Sequence, residues 1–408
     1  MKEAVIKRIS LFSILFTFFV DNLGWSIVFP IFAPLFLNEQ NVFSLNFSFQ
    51  IKTAILGIFL AAFPLAQFFG SPILGDFADR AGRKKALIIS ISLIGLGYIL
   101  SAWSILLKNL SLLFISRLIT GLFSGNLSVC LATISDLSTS EKSKTGNFSF
   151  LSVLAGFSFI IGAFLGGRLS DKNIYDFFNP SFPLWIAALL SLLNLLFIIF
   201  AFKEIPFEHK QKKYDFLLSI HNIKQALKIK SIKTIYFIYF LFVFAWTTLF
   251  QFSPVLVIKK FQFSNSEIGN LAAFMGICWA IGSGIINKLL FNFFSHLKIL
   301  EMSLIIFTIL CSFVGFQKHL SGVILILGSC VLIGGIAWPL CTTIISNRAP
   351  KESQGKIMGF SQSMQSLAMT ISPILGGIAD QVYIYFPFLI ASLAAFFASL
   401  VYLKAKIE

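Results

Sequence analysis

Charge is what this chain lacks most. Only 12% of its 408 residues are Asp, Glu, Lys or Arg, 57% are hydrophobic, and the mean hydropathy is +0.87. Those values exclude an ordinary water-soluble globule and describe a polytopic membrane protein. Acids are scarcer than bases, 17 against 32, which leaves a formal charge of +15. The excess does not point to nucleic acid, because the bases are spread over many short segments between apolar runs and form no single stripe. Cysteine is limited to Cys130, Cys278, Cys311, Cys330 and Cys341, all in apolar runs without metal-type spacing, which reads as packing and offers no metal site. His209, His221, His296 and His319 stand in loops or at the ends of runs, where none serves as a proton relay in the membrane. No Gly-x-x-x-x-Gly-Lys-[Ser/Thr] segment occurs, which argues against an ATP-driven pump, and no cofactor is implied. A cleavable leader is not read either: Lys7 and Arg8 precede about thirty mostly apolar residues with Asp21 among them, so the first run is expected to stay.

What is present is a series of apolar runs, each long enough to cross a bilayer. They fall near 9–37, 52–75, 86–107, 110–134, 147–168, 181–202, 233–258, 265–287, 298–316, 321–346, 356–379 and 383–403. An even number puts both termini on one side. The segments on that side hold 24 Lys and Arg and those on the other hold 7, so both termini are expected in the cytoplasm. The longest polar connection divides the chain into a six-helix bundle over 1–202, a linker over 203–232 and a second bundle over 233–408. Within the linker, Tyr214 to Ile229 has apolar residues near helical spacing with lysines between, the pattern of an amphipathic helix at the membrane surface or of a solvated tether. A weak repeat supports the division: Ile134-Ser135-Asp136 leads to Gly146 and then Gly166-Gly167, as Ile345-Ser346-Asn347 leads to Gly355 and then Gly376-Gly377.

Asp21 and Arg117 are the two charges read as lying well inside a span; every other ionisable acid or base falls at an end or in a loop, and the second half is read as having no buried charge. A charge in hydrocarbon costs at least about 2.5–3.5 kcal/mol on insertion scales, so function is its default explanation. At 1.5 Å per residue, Asp21 and Arg117 both come to roughly 10 Å below the outer surface, and the two are expected to meet. A carboxyl whose proton affinity changes with conformation can couple movement to a proton gradient. Asp21 is therefore assigned the coupling proton, Arg117 its tuning and Asn22 a neighbouring hydrogen bond. A static ion pair between the first and fourth helices is the structural alternative.

Between the second and third runs lies Gly75-Asp76-Phe77-Ala78-Asp79-Arg80-Ala81-Gly82-Arg83-Lys84-Lys85, charges of both signs in one tight turn. It resembles the G-x-x-x-D-R-x-G-R-[KR] loop of the major facilitator superfamily. Asp21-Asn22-Leu23-Gly24 with Phe29-Pro30-Ile31-Phe32-Ala33-Pro34, and Arg117 through Gly121 to Gly125, resemble the first-helix and fourth-helix patterns of the drug:proton antiporters of that superfamily, including tetracycline-efflux proteins. The resemblance implies an all-α polytopic membrane protein with twelve transmembrane helices in two pseudo-symmetric six-helix bundles, and a substrate site between them. It also implies a conformational latch built on Gly75, Asp79, Arg80, Gly82, Arg83 and Asp136, with Asp79 at the N-terminus of helix eleven near Gly355. The corresponding second-half loop, Gly284 to Lys298, retains little of this motif. In the fifth helix, Gly162-Ala163-Phe164-Leu165-Gly166-Gly167 lacks the proline of the exporters' G-P-x-x-G-G element, a departure that bears on direction.

Candidate substrate groups inside the spans are Gln67, Asn126, Trp246, Gln251, Trp338, Gln362 and Gln365, each also suited to packing or inter-helix hydrogen bonding. Fifty phenylalanines are spread through nearly every span and read as lipid-facing composition. The expected activity is not enzymatic. It is proton-coupled export of an amphipathic small molecule by a monomeric carrier in a bacterial inner membrane, with the proton gradient as energy source. The alternatives are proton-coupled import of a metabolite or siderophore-like chelate, and a non-transporting membrane receptor.

Overall fold

The computed structural model describes residues 2–38, 42–43, 46–137, 141–204, 230–348 and 354–405. The described residues are predominantly helical, with no strand among them. The first half contains α1 (Lys2–Leu37), α2 (Phe49–Ala81), α3 (Arg83–Leu106), α4 (Leu110–Phe123), α5 (Asn126–Leu137), α6 (Glu141–Leu169) and α7 (Phe182–Ala201). The second contains α8 (Lys230–Phe261), α9 (Asn265–Ala280), a π-helical stretch Ile281–Ile286, α10 (Asn287–Leu290), α11 (His296–Phe313), α12 (Leu320–Arg348), α13 (Gln354–Val382) and α14 (Phe386–Ala405). Among the described residues, 11 helical stretches are long and apolar enough to cross a membrane, α4 with α5 counting as one and α9 through α10 as another. α13, with 29 residues, is the twelfth by length. The amphipathic segment expected over 214–229 lies outside the described residues.

Helix ends follow local chemistry. The Asn109 side chain accepts from Leu112 N–H at 3.0 Å and starts α4, and Ser264 and Glu267 form a reciprocal capping box that starts α9. α2 stays helical through Ala81, so the tight turn expected over 75–85 shrinks to one residue. Gly82, at φ 101° and ψ 151°, adopts a backbone that a side chain rarely allows. Glu204 then caps the new helix: its two carboxylate oxygens accept from Arg83 and Lys84 N–H, each at 3.0 Å. An anion suits a helix N-terminus because the exposed N–H groups and the macrodipole are both positive there.

By contacts the chain forms two compact units. One comprises residues 1–31 with 66–218 and the other 32–65 with 219–408, so the C-terminal end of α1 and the N-terminal half of α2 belong with the second unit. In the first, α3 packs on α4 and α7. Ile14, Phe18, Leu74, Leu87, Ile91 and Ile134 contribute to a buried core there. In the second, α8 is the most enclosed span and packs on α13 and α14.

Lipid is as apolar as leucine, so helices in it associate by close packing, which small residues permit. A Cβ on Gly166 of α6 would overlap the Ile27 carbonyl of α1, and one on Gly162 would lie 2.6 Å from the Leu23 carbonyl oxygen. In the second unit, a Cβ on Gly377 of α13 would lie 2.9 Å from the Thr53 carbonyl oxygen of α2, and one on Gly57 would overlap the Pro373 carbonyl. Gly166 and Gly377, one from each copy of the sequence repeat, are thus backbone crossings, while Gly376 meets the Phe252 ring of α8.

Gly166→Val should cost about 1–3 kcal/mol, as overpacking against backbone does, and lower the melting temperature in detergent. Gly284→Ala should leave it unchanged, because nothing lies within 4 Å of the added methyl. Glu204→Ala should cost about 1 kcal/mol through loss of the cap, and Gly82→Ala about 1–3 kcal/mol through backbone strain, both read by the same melt.

Candidate functional site

Asp21 sits half-buried on α1, and the Asn126 amide donates to its Oδ2 at 2.5 Å. Asn126, itself 1% exposed, is the first residue of α5. It reaches Asp21 from a break in the fourth span at Ser124-Gly125, where a Cβ on Gly125 would lie 2.6 Å from Ser71 Cα of α2. A span interrupted where it meets a polar group is a common way to build a site inside a membrane. Arg117, 6% exposed, lies on α4 before that break.

Tyr98 of α3 links the two charges. Its hydroxyl lies so close to α1 that a Cβ on Gly24 would be 2.5 Å away, and it interacts electrostatically with both Arg117 and Asp21. Sequence reasoning passed over Tyr98 because a phenol carries no charge at neutral pH, and a lone tyrosine in an apolar run has no distinguishing pattern. Asn126, a substrate candidate by sequence, gives its amide to Asp21 in the structure. The Asn22 amide is spent on its own helix, donating to the Phe18 carbonyl at 2.8 Å. The resulting first-unit constellation is Asp21, Asn126, Tyr98 and Arg117.

A second constellation lies in the other unit. Trp246 of α8 stacks on Phe250 with ring centroids 4.8 Å apart, and meets Trp279 of α9 at 5.0 Å and Trp338 of α12 at 5.3 Å. Tyr239 packs edge-on to Trp338 and donates from its hydroxyl to Gln365 at 3.2 Å. Glycine permits the approach: a Cβ on Gly334 would lie 2.5 Å from the Trp246 ring, and one on Gly335 2.6 Å from the Trp279 carbonyl oxygen. Trp246 Nε1 and Gln251 Oε1 are buried without a hydrogen-bond partner. Trp279 was absent from the sequence candidates, and the π-helical stretch that follows it was not foreseen. Such turns recur at functional sites. Gln67 and Gln362 are half-buried, on α2 and α13.

The charged junction between α2 and α3 is paired locally. Arg80 contacts Asp76 at 2.6 Å and Arg83 contacts Asp79 at 2.7 Å, each one helical turn apart. Gly75 has open room, its nearest neighbour being Ser128 Oγ at 3.7 Å from an added Cβ. The side chains of Asp136 and of residues 346–359, Gly355 among them, lie outside the described residues.

The second half does contain a buried charge-bearing group: Asp380, on the last turn of α13, is 1% exposed. Its place at the end of an apolar run suggested access to water, but Thr53 of α2 lies against it and Lys259 of α8 acts on it electrostatically.

A model of the Major Facilitator Superfamily matches residues 14–373. Multidrug resistance protein 2 of Bacillus subtilis (strain 168) is 26% identical to this chain over 402 residues, covering 96% of it and 94% of the relative. Tetracycline resistance protein, class H, of Pasteurella multocida is 25% identical over 377 residues, 90% and 88% of the two chains. Among solved structures, a D-xylose-proton symporter superimposes with a TM-score of 0.76 at 16% identity over 97% of this chain and 98% of that one. The human organic anion transporter MFSD10 (TETRAN) gives 0.74 at 18% over 97% and 99%. With the family model covering most of its length and its helices arranged as in these transporters, the chain belongs to the Major Facilitator Superfamily.

Proposed function

We propose that this membrane transporter exports an amphipathic small molecule in exchange for protons by alternating access. In this reading it works as a monomer in a bacterial inner membrane with both termini in the cytoplasm. The observation that carries it is the Asp21 carboxyl held by the neutral Asn126 amide. A guanidinium in direct contact would bind the ionised form strongly and resist protonation. An amide N–H can donate to a carboxyl oxygen whether or not the other oxygen carries a proton, so the contact survives a change of charge. Arg117, buried on α4, supplies a fixed positive charge, and Tyr98 interacts electrostatically with both it and Asp21. The relatives named as multidrug and tetracycline resistance proteins favour outward movement. The latch reading assigns Gly75, Asp79, Arg80, Gly82 and Arg83, with Asp136, to one conformational state.

The second-unit aromatic cluster suits the substrate. Indole faces accept flat apolar groups, while an unpartnered Gln251 carbonyl and Trp246 N–H offer one acceptor and one donor. Such a site rewards a molecule with an apolar body and a polar edge.

Asp21→Asn should retain the fold and substrate binding yet lose proton-driven movement to background in proteoliposomes with an imposed pH gradient. Full retention of active transport would exclude the coupling role. Gln251→Leu should weaken binding of a screened substrate about tenfold, the loss expected of one hydrogen bond in a dry site, as followed by thermal shift. Comparing uptake with efflux in vesicles of known orientation determines direction, and accumulation inside right-side-out vesicles would replace export by import.

A further inference from the structure

Asp380 is used by neither constellation. Both of its carboxylate oxygens are buried and without a hydrogen-bond partner. It lies where α13 crosses α2, one turn beyond Gly377, whose own added Cβ would touch the Thr53 carbonyl and, at 3.1 Å, Ala54 Cα. The surroundings are therefore backbone and small side chains in direct contact. The polar side chain against it is Thr53, itself fully buried. Thr53 Oγ1 directs its proton to carbonyls one turn back, Gln50 at 2.9 Å and Phe49 at 3.1 Å. Its hydroxyl is thus largely committed to its own helix.

The charged groups around the carboxyl come from two further directions. On α8, Lys259 acts on it electrostatically but points its Nζ over the Phe49 ring, 4.7 Å from the centroid. The neighbouring Lys260 is engaged elsewhere, donating to the Gln317 carbonyl and, at 2.9 Å, to the Tyr385 hydroxyl. On α2, Lys52 precedes Thr53 and is half-buried. None of these provides a direct donor to the carboxylate.

An ionised carboxylate enclosed without a donor costs several kcal/mol, whereas the neutral acid avoids that cost and can itself donate. In the closed crossing the acid O–H has an acceptor in Thr53 Oγ1, whereas the ion meets a hydroxyl already directed to two carbonyls and a lysine turned toward the Phe49 ring. We propose that Asp380 is a second proton-binding site, loaded while the α2–α13 crossing is shut and emptied to the surrounding water when the crossing parts. The step is a simple transfer: the carboxyl O–H bond breaks, water takes the proton, and the carboxylate left behind is free to attract Lys259. The bias of Lys and Arg places this end of α2 and α13 on the face opposite the termini, so the proton would exchange with the outer medium. A basic outer medium would then favour opening, and an acidic one closure. The inference rests on the alternating-access reading for its purpose, though not for its chemistry.

The test uses the full chain in lipid nanodiscs, with spin labels at cysteines introduced for the exposed Ile51 and Tyr383 and the native cysteines replaced. Double electron–electron resonance reads the separation of α2 and α13 as pH is raised. The parent protein should shift from short to long separation. Asp380→Asn, which mimics the acid, should stay short at every pH, and an unchanged pH response in this variant would overturn the proposal. Thr53→Val keeps the carboxyl and removes the polar side chain against it, so proton binding should change roughly tenfold and the opening midpoint should move about one pH unit. A midpoint that does not move would likewise count against the site, and this variant serves if Asp380→Asn does not fold. If Asp21→Asn transports normally while the α2–α13 separation still depends on pH through Asp380, the coupling role of Asp21 fails and the second proton site stands.

Discussion

Helices surrounded by hydrocarbon gain little from leaving it for one another, so their association depends on how closely their backbones can approach. In this protein that approach is made at glycine. Gly162 and Gly166 bring α6 onto α1, Gly57 and Gly377 bring α2 onto α13, and Gly125 lets the interrupted fourth span meet α2 at Ser71. Each polar group of functional interest lies within a turn or two of such a contact. Asn126 follows Gly125, Tyr98 closes over Gly24, and Asp380 follows Gly377. Close packing thus performs two tasks, joining the helices and enclosing a carboxyl or phenol where water is scarce.

The acidic side chains are held in different ways, and the differences follow from their surroundings. Asp76 and Asp79 pair with arginines one turn away at a partly exposed helix end, where an ion pair contributes little to stability and local geometry decides the partner. Glu204 spans two backbone N–H groups at the start of α3, where the helix supplies the positive field. Asp21 is met by a neutral amide. Asp380 is buried against the Thr53 hydroxyl, with no cation or backbone N–H bonded to it. The series runs from carboxylates met by cations or backbone N–H groups to carboxyls met by a neutral amide or a hydroxyl.

Much of this was legible from composition and spacing. The apolar runs and their boundaries to within several residues follow from hydropathy alone, as the spans from Lys7–Leu37 to Phe386–Ala405 bear out among the described residues. The glycine repeat pointed to close helix contacts, made on α1 by Gly166 and on α2 by Gly377. What escaped was whatever depends on a partner distant in sequence. Asp380 read as a terminal, water-accessible acid because nothing near it reveals that Thr53 covers it. Glu204 looked like the start of a polar connection until its carboxylate was seen bridging the junction that Gly82 opens. Tyr98 and Trp279 carry no spacing signature, since an aromatic in an apolar run has the same local appearance whether it faces lipid, a core or a ligand.

The π-helical stretch Ile281–Ile286 accommodates one residue more than a regular helical turn would. With each residue advancing the helix by about 100 degrees, everything C-terminal to it is rotated by roughly that angle relative to an uninterrupted span. Asn287 is consequently 4% exposed and turned into the protein, while Trp279, on the other side of the stretch, keeps the register of α9. The eighth span therefore presents two independently oriented faces, and a deletion of a single residue within it would swing one of them away from its neighbours without altering composition or length appreciably.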